Sequence, residues 1–139
     1  MRKVVYRDRL VLIISEVSRA KALQVVQVVN ALMEAEIDNA GFISNEFNFA
    51  YVNNAPVKAL WDGKLLEEGT HTLKFEEYDE LTLTLPLTRE AFEELPVSLS
   101  AIWVEAAQAE NGWLNEHFLS AMRLTMPSLF APESDKPQS

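Results

Sequence analysis

Apolar positions recur at helical spacing in the first third of the chain and again in the last, with a short alternating segment between them. Residues 18–39 carry the clearest pattern. Lys21, Gln24, Gln27, Asn30, Glu34 and Asp38 are spaced by three or four and trace one narrow polar stripe, while nearly every other position is apolar. That spacing predicts a helix. The narrowness of the stripe predicts that the helix is mostly covered, either by its own domain or by another subunit, because a surface helix shows a broader polar face. Gly41 is read as its end. Ahead of it, Leu10, Val11, Leu12, Ile13 and Ile14 are apolar on every side, so periodicity does not separate helix from strand. With no breaker before the next helix, the run is read as helical.

Ser44 is a candidate N-cap for a helix through Phe47, Phe49, Tyr51 and Val52. Asn53-Asn54 weakens it, and Pro56 suits the first turn of a new helical stretch over residues 57–61. Asp62-Gly63 signals a turn. Between 70 and 85 the period changes to two: Leu73 and Phe75 alternate with Thr72 and Lys74, and Leu81, Leu83 and Leu85 alternate with Thr82 and Thr84. This predicts an antiparallel hairpin around the acidic turn 76–80. A lone hairpin is marginal in water, so it has to lie on the helices.

Residues 85–113 hold the strongest punctuation. Thr88 can accept a hydrogen bond from an orphan N–H of a helix over 89–94, and Glu90, Glu93 and Glu94 suit that helix start. Pro96 opens a second helix. Leu99, Ile102, Trp103 and Ala106 then fall at i, i+3, i+4 and i+7, and Asn111-Gly112 supplies a left-handed stop. Leu114, Phe118 and Met122 repeat at i, i+4 and i+8 in a last amphipathic helix. The expectation is a mainly α domain over 1–126, with a small antiparallel β-hairpin near 70–85 between helical halves. Residues 127–139, with three prolines, are expected to form a disordered tail.

Charge narrows the function. Among 139 residues, 12 are basic and 21 acidic, a net charge of −9. Nucleic acid and anionic membranes demand clustered Lys and Arg, so neither is an expected partner. The absence of cysteine excludes disulfides and thiolate chemistry. No apolar run approaches the ~20 residues of a membrane span, and no cleavable leader is evident. The two histidines, His71 and His117, have no ligand partner at helical spacing, so no metal or organic cofactor is expected. The pairs Glu67-Glu68, Glu76-Glu77 and Glu93-Glu94 are sequence neighbours whose side chains diverge, as solvated turns and helix starts do. No nucleophile motif or glycine-rich phosphate cradle occurs. The reading is a non-enzymatic protein. Trp113, just past a helix stop, is read first as core material and otherwise as an interface anchor; with Phe118 and Met122 it makes the expected partner-binding set, beside a groove between the Leu99–Ile102–Trp103–Ala106 and Leu114–Phe118–Met122 faces.

Three phrases carry a family resemblance: Val57-Lys58-Ala59-Leu60-Trp61-Asp62-Gly63; Leu85-Pro86-Leu87-Thr88-Arg89-Glu90-Ala91-Phe92-Glu93-Glu94-Leu95-Pro96; and Trp103-Val104-Glu105 with Glu110-Asn111. In this order they resemble the tail assembly chaperones of long-tailed, siphovirus-type bacteriophages, over residues 57–113. The resemblance implies a chaperone of the host cytoplasm. It would bind the tape measure protein, keep its apolar helices soluble and help recruit tail tube protein. It supplies no catalytic residues. Weak homo-oligomerisation is expected from the 18–39 helix. Two other classes fit the same composition: an acidic protein-binding module, such as an antagonist or secretion-type chaperone, and a small ligand-binding or enzyme domain, which would need a pocket with inward polar groups.

Overall fold

In the computed structural model, Leu10, Leu12 and Ile14 are completely buried while Val11 and Ile13 between them are half-buried. That alternation belongs to a strand. The structure describes residues 1–35, 39–114 and 116, except the side chains of residues 33 and 40. Strand β1 (Arg2–Tyr6) and strand β2 (Leu10–Ile14) form a hairpin. Helices α1 (Arg19–Glu34) and α2 (Ala40–Asn54) follow. Strands β3 (Val57–Trp61) and β4 (Lys64–Leu65) then complete an antiparallel sheet of order β1-β2-β3-β4. A separate hairpin, β5 (Gly69–Glu76) and β6 (Asp79–Leu85), leads into α3 (Arg89–Glu94) and α4 (Val97–Glu110).

The fold is therefore α+β, with 48% helix and 29% strand among the described residues, and the mainly α expectation is corrected. The predicted hairpin near 70–85 is present, but strands β2 and β3 stand where helix was expected, and with β1 and β4 they form a four-stranded sheet. Its central strand is the all-apolar run Leu10–Ile14, rich in β-branched residues that suit a pleated sheet. Residues 57–61 also form a strand. Pro56 opens no helix there; its carbonyl accepts from Ser15 N at 2.9 Å and extends the pairing with β2. Asp62 and Gly63 both have positive φ, 50° and 81°, which turns β3 into β4. Arg9 donates to Asp62 from Nε and Nη2 at 2.9 and 2.6 Å, joining the turn after β1 to the turn after β3. That hydrogen bond holds the Asp62 carboxyl below its ordinary range.

The helical expectations fare unevenly. Thr88 caps α3, its Oγ1 accepting from Ala91 N at 3.1 Å, as read from sequence. Arg89 reaches Glu46 and lies 4.6 Å from the Phe49 ring centre, which ties α3 to α2. Helix α2 begins earlier than Ser44: Asn39 is its cap, with Oδ1 accepting from Phe42 N at 3.0 Å, and Gly41 sits in its first turn rather than ending α1. The predicted extension of α1 through residues 36–38 lies outside the described residues, as does everything expected of 117–139.

Helix α4 packs across β1 and β2 and against α2. Leu99 and Trp103 on it are fully buried, and Ala106 and Ala107 nearly so. The small residues let the helix approach the sheet while Trp103 fills the space. Trp103 Nε1 has no hydrogen-bond partner among the described residues. Leaving an indole N–H unpaired costs roughly 1–3 kcal/mol, so the packing of the ring outweighs it. Trp103→Ala is expected to lower unfolding free energy by about 3–5 kcal/mol in urea denaturation. Trp103→Phe should cost much less, because it keeps most of the apolar volume and removes the unpaired donor.

Candidate functional site

The linker between β2 and α1 runs beside the end of α4, and one side chain joins them. Asn111 is 5% exposed. Its Oδ1 accepts from Val17 N at 2.9 Å, and its Nδ2 donates to the Ala107 carbonyl at 2.7 Å. Both halves of the amide are used, as a buried Asn requires. Asn111 has φ −116° and Gly112 is not left-handed, so the expected left-handed stop is a bend, after which Gly112–Leu114 resume helical form.

The bend leaves a cleft of about 700 Å³ between α1 and residues 110–114. Val17, Leu23, Val26, Trp113 and Leu114 give it apolar walls, and Glu16, Arg19 and Glu110 stand among its lining residues. Glu110 also accepts from the Met1 amino group at 2.7 Å, which fixes it toward β1. Leu114 is buried, whereas Trp113 is 74% exposed and Leu23 59% exposed. Large apolar side chains this exposed, grouped around one concavity, mark an interaction site more than a surface at rest in water.

Of the predicted partner-binding residues, Trp113 lies in this cleft, and Phe118 and Met122 lie outside the described residues. The predicted groove on the Leu99–Ile102–Trp103–Ala106 face is corrected: Leu99, Trp103 and Ala106 are buried in the core. Sequence reasoning missed the opposite wall, from Glu16 to Val26. The available signal is the uncharged run 22–33, whose narrow polar stripe predicts a covered helix. Among the described side chains of α1 only Val25 and Val29 are fully enclosed, and Leu23 and Val28 are exposed.

Reaction chemistry is sparse among the described residues. They hold no group of three or more potential metal-ligating side chains. His71 Nε2 donates to the Glu67 carbonyl at 2.6 Å, within the start of the β5 hairpin. The paired glutamates at 67–68, 76–77 and 93–94 are all exposed. Burial raises the Tyr51 phenol above its ordinary range, but Tyr51 belongs to the core and lines none of the cleft. No helix among the described residues is long and apolar enough to cross a membrane.

Set against family models, curated proteins and solved structures, the chain matches none.

Asn111→Ala is expected to cost about 1–3 kcal/mol by leaving Val17 N unpaired. Trp113→Ala should change unfolding free energy by less than about 0.5 kcal/mol, as an exposed substitution does. Equilibrium denaturation of the two variants side by side checks both values.

Proposed function

We propose that this protein is a non-enzymatic binding partner of an apolar, helical protein segment, and that the α1–α4 cleft receives that segment. The observation that carries the reading is Trp113, 74% exposed at the edge of a cleft whose walls are Val17, Leu23, Val26 and Leu114. Helix-in-groove recognition uses a few large side chains entering an apolar channel. Exposed tryptophans at such places act as anchors, because one ring removes much apolar area from water at small entropic cost. The net charge of −9 supports the same role, since it keeps a complex soluble while apolar surface is engaged.

The particular partner comes from the resemblance of residues 57–113 to tail assembly chaperones. On that reading the segment belongs to the tape measure protein of a long-tailed phage, tail tube protein is recruited next, and the work is done in the host cytoplasm. Weak self-association forms part of the proposal. Residues 22–33 carry no charge, and many of their side chains face outward on α1. Charge-depleted surface of this kind is typical of interface centres.

Coexpression with the tape measure protein of the same phage tests the reading. The partner is expected to stay soluble and copurify, and Trp113→Ala should weaken the complex by about 2 kcal/mol. An insoluble partner with no copurification would sink it. Sedimentation velocity checks self-association separately: the mean mass is expected to rise with concentration into the high micromolar range, and to rise less in Gln27→Glu, which puts charge into the neutral stretch.

A further inference from the structure

Helix α4 covers only one face of the four-stranded sheet. The register places Val5, Val11, Leu60 and Leu65 side by side, one from each strand, in a single row. By the two-residue period of a strand, these side chains point away from Leu10, Leu12 and Ile14, hence away from α4. The next row on the same face is Lys3, Ile13 and Lys58. The outer members of the apolar row are open to solvent, Val5 at 50% and Leu65 at 59%. An antiparallel sheet with one solvated face ordinarily presents polar residues there. This face presents five aliphatic side chains and two lysines.

The charge of the sheet is opposite to that of the protein. Strands β1 to β4 contain Arg2, Lys3, Lys58 and Lys64 and no acidic residue, in a chain with 21 acidic and 12 basic residues. Lys3 and Lys58 are exposed, and among the described residues neither has an ion-pair partner. Two strand spacings, roughly 10 Å, separate them across the sheet. Along a helix laid on the apolar row, that distance is about two turns at roughly 5.4 Å each.

We propose that the open face of this sheet is a second docking surface, and that its occupant is an amphipathic helix of another protein with an apolar stripe edged by carboxylates. The stripe lies on the Val5–Val11–Leu60–Leu65 row, and the carboxylates meet Lys3 and Lys58. A second copy placed face to face would bring the same lysines and no strand carboxylate to meet them, so charge complementarity favours a foreign acidic helix. The surface is distinct from the α1–α4 cleft, none of whose lining residues belongs to it.

The proposal makes a prediction contrary to net charge. A protein of charge −9 would by long-range attraction prefer a basic peptide. Two 18-residue helical peptides with the same leucine stripe, one edged by glutamate and the other by lysine, are titrated by fluorescence anisotropy at physiological ionic strength. The acidic peptide is expected to bind at least tenfold more tightly. The double variant Lys3→Glu/Lys58→Glu should reverse that order, and Val5→Ser/Leu65→Ser should weaken the acidic peptide about tenfold. Trp113→Ala should leave it within twofold, which separates this surface from the cleft. Circular dichroism of each variant confirms that the fold is kept. Equal or stronger binding of the basic peptide overturns the proposal, as does indifference to the lysine substitutions. Lysine-dependent binding to vesicles of phosphatidylserine and phosphatidylcholine, without preference between the peptides, also overturns it in favour of an anionic membrane surface.

Discussion

Everything in this molecule hangs on the contact between α4 and the central strand β2. Leu10, Leu12 and Ile14 present a continuous apolar face, and Leu99, Trp103, Ala106 and Ala107 lie in the core with them. Tyr6 and Ala59 extend the face onto the neighbouring strands, and Tyr6 Oη shares a hydrogen bond with Ser98 Oγ at 2.8 Å, close to the start of α4. Because β2 pairs with both β1 and β3, seating one helix on it fixes a sheet drawn from both sides of the α1–α2 excursion. The cost of an unpaired Trp103 N–H is accepted because a close-packed interior offers dispersion contacts that a smaller side chain would forfeit.

The second hairpin buries Leu73, Leu81, Leu83 and Leu85 in the same core, and aromatics and arginine tie it to the turns of the main sheet. Phe75 meets Tyr6 and Trp61 edge-on, with ring centres 5.7 and 4.9 Å apart. Arg9 lies 4.2 Å from the centre of the Trp61 ring and donates to the Lys74 carbonyl at 2.7 Å. The hairpin cannot stand alone, and these contacts join it to the turns that close the main sheet. The aromatic join and the candidate cleft thus lie at different ends: the join at the turns after β1 and β3, and the cleft where the chain leaves β2 for α1.

Charge is distributed to match. Acidic residues dominate turns, helix starts and the second hairpin, where solvent screens them. The four-stranded sheet is basic where it is charged at all, and α1 is neutral along most of its length. A chain that repels its own kind at long range keeps three places free of that repulsion: the neutral side of α1, the apolar cleft beside it and the open sheet face.

Sequence alone determined the elements whose signals are local. The Thr88 cap, the α3 helix, the alternation of the 70–85 hairpin, the turn at Asp62-Gly63 and the helical spacing of α1 and α4 each depend on residues within a few positions of one another. It also singled out Trp113, by position after a helix end. Only the tertiary structure decided the rest. An all-apolar pentapeptide has no period, so whether Leu10–Ile14 is helix or strand depends on its pairing with Val57–Trp61, far along the chain and beyond two helices. Pro56 is compatible with a helix start or a strand start, and the same non-local pairing chose. The narrow polar stripe of α1 implied cover, yet its outward face stays open, because composition states how much apolar surface a helix has and only packing states what meets it. The cleft and the open sheet face follow from that same non-local choice, which no spacing along the chain records.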